Sequence, residues 1–273
     1  MSGALWPAWS EAFRPEVLPR VPVPQSGFSR SWAFDGASGA GVSVAIVDSG
    51  IDASHPAVGA VSRSVALHWD REVQEVVAVE GPHEDLFGHG TACAGIVRRA
   101  APDCRLMSVR VLGERLTGKG LAFAEGVRWA VAAGARVVNL SLSTSNEDLH
   151  SLFHDVADEA YFSGAVLVCA VNNVRAASYP SQYSSVVSVA ANDGTDPYDL
   201  DCNPHPPVEF AAPGIDVQVA WLGGSTLVST GNSFAAPHVT GLVARLLSKH
   251  PELSPSEVKA VLRAVSRNAI PVR

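Results

Sequence analysis

The sequence has little that would take it to a membrane, a nucleic acid or a metal. No stretch approaches the roughly 20 apolar residues of a membrane-spanning helix, because Pro and charged residues interrupt every candidate. Lys and Arg number 20 against 27 Asp and Glu, a formal net charge of -7, and no basic run occurs. Phosphate backbones are bound by clustered cations, so a nucleic-acid partner is as unexpected as a membrane one. Cysteine is scarce: Cys93, Cys104, Cys169 and Cys202 lack metal-ligand spacing, and there is no HExxH pattern. Neither a metal nor another cofactor is expected. Residues 1–30 carry neither a positive n-region nor a continuous apolar h-region of roughly 7–15 residues. That points to a cytoplasmic protein whose thiols stay reduced.

What the chain does have is apolar bulk. With 47% hydrophobic and 17% charged residues it can bury a large core without cross-links. Residues 1–40, rich in Pro, Gly and Ser, read as an extended N-terminal arm with Trp6, Trp9, Phe13 and Trp32 as anchors, and residues 41–273 as a single domain. Within that domain the β-branched run from Val42 to Val47 ends at Asp48. Runs at 105–112, 136–142, 165–171 and 186–191 are nearly continuous in apolar residues, as expected of strands buried on both faces of a parallel sheet. Segments 120–133 and 147–162 place apolar residues near helical spacing between them. Further helices are expected from His89 to about Arg98 and over 233–249. Another starts at Ser254-Pro255-Ser256-Glu257, an N-cap, a first-turn Pro and a capping-box acid, and runs to about 266. The rhythm predicts an α/β fold, a three-layer α/β/α sandwich with a mostly parallel central sheet. Functional residues of such sheets gather beyond the carboxyl ends of strands, where Asp48 lies.

Four segments supply the parts of a serine-based acyl transfer: an alcohol activated by a base, an acid orienting that base, and donors for an oxyanion. In Val44-Ala45-Ile46-Val47-Asp48-Ser49-Gly50 a buried strand delivers an acid. In Phe87-Gly88-His89-Gly90-Thr91 two glycines flank an imidazole and let the chain turn into a helix. In Gly231-Asn232-Ser233-Phe234-Ala235-Ala236-Pro237 a serine stands at a helix N-terminus, where free N–H groups favour a developing anion. The fourth segment, Val168-Cys169-Ala170-Val171-Asn172-Asn173, is an apolar strand ending in two amides.

Taken in the order Asp, His, Ser, these motifs resemble the subtilisin family (subtilases) from about Gly41 to residue 265, an order unlike that of chymotrypsin-like enzymes or α/β-hydrolases. The resemblance implies a serine endopeptidase acting on peptide or protein substrates through an acyl-enzyme. Asp48 would be the orienting acid, His89 the general base, Ser233 the nucleophile and Asn173 the side-chain oxyanion donor. It further implies a substrate-binding set of Ser141, Leu142 and Ser143, which would pair with the substrate backbone, and of Ala170, Val171, Asn172, Ser178 and Asn232 around the cleft. Ser178 would form the floor of the S1 pocket.

Several positions depart from the family pattern. Ser143 stands where Gly is usual, as does Asn172, which suggests a narrowed, more polar S1 pocket taking small or polar P1 residues. Asn232 replaces the usual Thr before the nucleophile; Asn232 and Asn172 are read either as substrate contacts or as turn formers. The short Ala100-Ala101-Pro102-Asp103 connection omits the calcium-binding loop of many secreted relatives. Cys93 falls where thiol-dependent subtilases carry a cysteine beneath the catalytic His. His238 is expected to be a packed, hydrogen-bonded helix residue, and Asp52, His55, His68 and His83 ordinary loop or surface residues. The short N-terminal arm suggests a dedicated processing protease for precursor or leader peptides rather than a bulk-digesting one. The alternative is a catalytically silent pseudoprotease that only binds peptides.

Overall fold

The computed structural model describes residues 6–24 and 27–272. In chain order the leading elements are a 3₁₀ turn Ser10–Phe13, strand β1 (Val21–Pro24) and helix α1 (Arg30–Phe34). The sheet then begins with β2 (Ser43–Asp48) and the hairpin β3 (Val61–Asp70) and β4 (Glu75–Glu80). Next come α2 (His89–Ala100), β5 (Arg105–Arg110), α3 (Gly120–Ala132), β6 (Val137–Leu140), α4 (His150–Phe162) and β7 (Val166–Ala170). Strands β8 (Val187–Asn192), β9 (Asp201–Cys202), β10 (Phe210–Pro213), β11 (Val217–Trp221) and β12 (Ser225–Ser229) follow. The chain closes with α5 (Asn232–Lys249), α6 (Pro255–Val265) and β13 (Ala269–Val272). Among the described residues no helix is long and apolar enough to cross a membrane.

The central sheet has nine strands in the order β4-β3-β5-β2-β6-β7-β8-β10-β9. Only the edge strands β4 and β9 run antiparallel to their neighbours. Continuous apolar runs are needed because helices cover both faces. In β2, Val44 and Ile46 join the core beneath α2, α5 and α6, while Ala45 and Val47 join the opposite core beneath α3 and α4. Helix α6 begins with the capping box read from the sequence, Ser254 and Glu257 each closing on the other's backbone.

The N-terminal arm departs from a uniformly extended segment. Ser29 caps α1 by accepting the Trp32 amide, and the Trp32 ring stacks on His250 at a centroid distance of 3.8 Å. Strand β1 pairs in parallel with β13. Phe13 is buried against Val171 and Ala190, so the arm supplies a small core of its own instead of merely covering the domain.

Helices α2 and α5, which bring His89 and Ser233 to the site, cross closely. A Cβ on Gly241 would lie 2.5 Å from the Ala100 Cβ. Gly241→Ala must therefore push the helices apart, and overpacking of this kind costs about 1–3 kcal/mol. The expected result is a lower urea midpoint with an unchanged m-value; an unaltered midpoint would show that the crossing is loosely packed.

Candidate active site

Asp48 is fully buried at the end of β2, and both of its carboxylate oxygens lie 2.9 Å from His89 Nδ1. Its Oδ1 also accepts the Ser49 amide at 2.8 Å, so the buried charge is shared among donors rather than left bare. His89 opens α2. A side chain at Gly90 would drive its Cβ to 2.0 Å from the Gly50 carbonyl, which is why glycine follows the imidazole. Burial pulls the His89 pKa down, but the adjacent Asp48 carboxylate outweighs it and holds the imidazole well above the ordinary histidine value.

A residue that sequence reasoning missed organises this turn. Asp85 accepts the Ser49 hydroxyl at 2.7 Å and the Phe87 and Gly88 amides at 3.0 and 2.8 Å through Oδ1. Its Oδ2 accepts the Thr91 amide and hydroxyl at 2.9 and 2.6 Å. The signal available was a carboxylate just ahead of a glycine-flanked His that is followed by a Thr able to reach back.

Ser233 lies in the first turn of α5, and Pro237 four residues on has no N–H to give the Ser233 carbonyl. That carbonyl instead accepts the Ser141 hydroxyl at 2.8 Å. Ser141 in turn accepts Asn139 Nδ2 at 2.9 Å, and Asn139 Oδ1 accepts Thr240 at 2.9 Å. Ser141 borders the cleft, but its hydroxyl is spent on the Ser233 carbonyl of α5. Cys93 Sγ is buried, 3.8 Å from the same carbonyl and 3.9 Å from both Asp48 Oδ2 and His89 Nδ1. Burial raises its pKa, so it packs as a neutral thiol.

Asn173 Oδ1 accepts the Asn232 amide at 2.9 Å, which orients its side chain. A methyl placed on Gly231 would be 3.3 Å from Ser233 Oγ and 3.6 Å from Asn173 Nδ2, so the hydroxyl and the amide donor flank one small volume. A cavity of about 400 Å³ brings together His89, Ser233, Asn173, the Ser141–Ser143 segment and Ala170, Val171 and Asn172.

Two expected substrate contacts lie elsewhere. Asn232 is fully buried: its Oδ1 accepts the Ala191 amide and the Ser10 hydroxyl, and its Nδ2 faces the carbonyls of Ala8, Val171 and Asn172. It is neither a substrate contact nor a turn former. Ser178 is likewise buried; its hydroxyl accepts the Asn172 amide at 2.9 Å and the Ser181 hydroxyl at 2.7 Å, so it braces the Asn172 strand end instead of flooring the pocket. Asn172 accepts the Val174 amide through its own side chain, a local turn at the cavity wall.

The remaining histidines divide. His238 is packed in α5, but neither ring nitrogen has a partner among the described residues, and burial together with Arg99 pushes its pKa down to about 3. His55 is buried rather than superficial, accepting the Ala57 amide on Nδ1 and donating from Nε2 to the Ser225 carbonyl at 2.9 Å. His83 is half-buried, with Nε2 2.8 Å from the Ser108 hydroxyl, and His68 is exposed. Among the described residues the one cluster with metal-ligand spacing is Asp48, His89 and Cys93, whose ligand atoms lie within 4.8 Å of one another. Its imidazole Nδ1 and carboxylate are already committed to each other.

A family model described as the subtilase family matches residues 39–269. The chain belongs to the subtilase family. It is 32% identical to Subtilisin DY of Bacillus licheniformis over 248 residues, covering 85% of this chain and 86% of that protein. It is 29% identical to Subtilisin E of Bacillus subtilis (strain 168), over 85% of this chain and 62% of that one. Among solved structures, a cold adapted subtilisin-like serine proteinase superposes with a TM-score of 0.67 at 25% identity, covering 86% of each chain. This subtilase is a serine protease of the subtilisin type.

The direction of the His89 shift sets the pH response of the subtilase. A general base must be neutral, so with His89 in that role activity would rise as it loses its proton, and the raised pKa would move that rise to higher pH. The acid limb of the kcat/KM profile is expected above the ordinary histidine value of 6.5. Asp48→Asn removes the charge that raises it, so the limb should move down while kcat falls by about 10⁴. A limb left in place by Asp48→Asn would mean that another group controls it.

Proposed function

We propose that this subtilase is an endopeptidase in which Ser233 Oγ attacks the substrate carbonyl. His89 receives the serine proton on Nε2, its Nδ1–H being held by Asp48, and returns it to the leaving amine. The oxyanion is received by Asn173 Nδ2 and by the Ser233 amide, which as a first-turn N–H has no helical acceptor. Water then hydrolyses the acyl-enzyme by the same proton route. The observation that carries this reading is the buried Asp48–His89 pair, whose imidazole lines one cavity with Ser233 and Asn173.

The finer reading is a dedicated processing enzyme, trimming precursor or leader peptides in the cytoplasm. Four buried free thiols suit a reducing compartment. Ser143 and Asn172, both lining the cavity, favour a small or polar P1 side chain over a bulky one.

A small fluorophosphonate tests the chemistry, because only an activated serine attacks phosphorus quickly. Stoichiometric mass labelling, abolished in Ser233→Ala and His89→Ala, is the expected result. A folded wild type that takes up no label would instead be a peptide-binding pseudoprotease. A P1 library on the active protein should then favour small or polar residues, and dominance of large aromatics would overturn the pocket assignment.

A further inference from the structure

The oxyanion strand end is held from outside by a segment that precedes the family match. Residues 7–10 form a turn in which the Pro7 carbonyl accepts the Ser10 amide at 3.2 Å, with Trp9 at φ 75° and ψ -22°, the geometry of a type II turn. From this turn the Ala8 amide donates to the carbonyl of Asn173 at 3.1 Å, and the Ala8 carbonyl accepts Asn232 Nδ2 at 3.1 Å. Ser10 is fully buried; its hydroxyl donates to Asn232 Oδ1 at 2.9 Å and accepts the Ala191 amide at 3.0 Å. Arg175 lies over the Trp9 ring at 5.4 Å, and Phe13 packs on Val171.

Asn173 is exposed, so packing alone does not fix it. Its main-chain carbonyl is tied to Ala8 and its side-chain oxygen to the Asn232 amide, which leaves Nδ2 to face the space beside Ser233. The family match begins at residue 39, so the subtilase fold assigns no role to these contacts.

We propose that Ala8 and Ser10 of the N-terminal arm are positioning residues for the oxyanion hole, acting through Asn232 and the Asn173 backbone. The arm is in this sense part of the active site, although none of its atoms meets the substrate. The inference rests on Asn173 being the side-chain oxyanion donor. Pre-aimed donors stabilise a transition state because they need no reorganisation when charge develops. A loosened Asn173 must be re-aimed in each turnover, which lowers kcat and leaves ground-state binding nearly unchanged.

Two substitutions in the full chain separate positioning from folding. Ala8→Pro deletes the N–H that holds Asn173, yet Pro is favoured at the second position of a type II turn, so the turn persists. Ser10→Ala removes the bridging hydroxyl but leaves the Ala191 amide and Asn232 Oδ1 bonded to each other at 2.9 Å. Each is placed beside Asn173→Ala and combined with it. Losing an oxyanion donor costs about 10²–10³ in kcat in a subtilisin, so Asn173→Ala should fall in that range. Ala8→Pro and Ser10→Ala should each lower kcat about tenfold with KM within about twofold, and should add nothing in the Asn173→Ala background. Wild-type kcat in both arm variants, or the same loss with and without Asn173, would overturn the clamp. Full activity in Asn173→Ala itself would instead sink the assignment of the donor, and the clamp with it.

Discussion

Around Ser233 the structure depends on one buried side-chain amide. Asn232 immediately precedes Ser233, and its hydrogen-bonding capacity is filled by groups from three parts of the chain. Oδ1 takes Ser10 of the arm and Ala191 of β8, Nδ2 meets the carbonyls of Ala8, Val171 and Asn172, and its main-chain amide meets Asn173. A buried amide left with unmet donors would cost about 1–3 kcal/mol, so these partners cannot drift independently. The start of α5, the end of β7 and the arm are thereby locked into one register, and Ser233 and Asn173 inherit their spacing from it.

The other half of the site is fixed by charge. Asp48 is buried where an unpaired carboxylate would be very costly, and its oxygens are paired with the Ser49 amide and the His89 ring. Asp85 then sets where His89 can be, gathering Ser49, Gly88 and Thr91 around a second buried carboxylate. The two halves meet where α2 crosses α5, and the Ser141 hydroxyl on the carbonyl freed by Pro237 ties β6 to that junction. Catalytic geometry here is a property of helix termini and strand ends held by buried polar groups, with the apolar cores supplying the frame.

Legibility in the sequence followed the strength of local pattern. Strands β2, β5, β6, β7 and β8 announce themselves because burial on both faces demands unbroken apolar runs, and α6 because its capping box is a local code. Asp48, His89, Ser233 and Asn173 stand out because each sits at a strand end or helix start in a distinctive glycine or amide context. The β3–β4 hairpin was not foreseen: it stands at the sheet edge, and much of β4 faces solvent, so its pattern is mixed. The roles of Asn232, Ser178 and Ser10 were hidden for a different reason. Ser10 and Asn232 depend on partners remote in sequence, being themselves 222 residues apart, while Ser178 bonds to Asn172 and Ser181 close by, and nothing in the sequence says which way such a polar side chain will turn.

The most direct measurement of the central claim is a crystal structure of the enzyme with a peptidyl boronic acid, whose tetrahedral adduct stands in for the acyl-transfer intermediate. The account predicts boron bonded to Ser233 Oγ, one boronate oxygen within hydrogen-bond distance of both Asn173 Nδ2 and the Ser233 amide, and His89 Nε2 facing the adduct with the Asp48 contact intact. A boronate bound away from Ser233, or an adduct whose oxygens meet only solvent while Asn173 is turned aside, would contradict it.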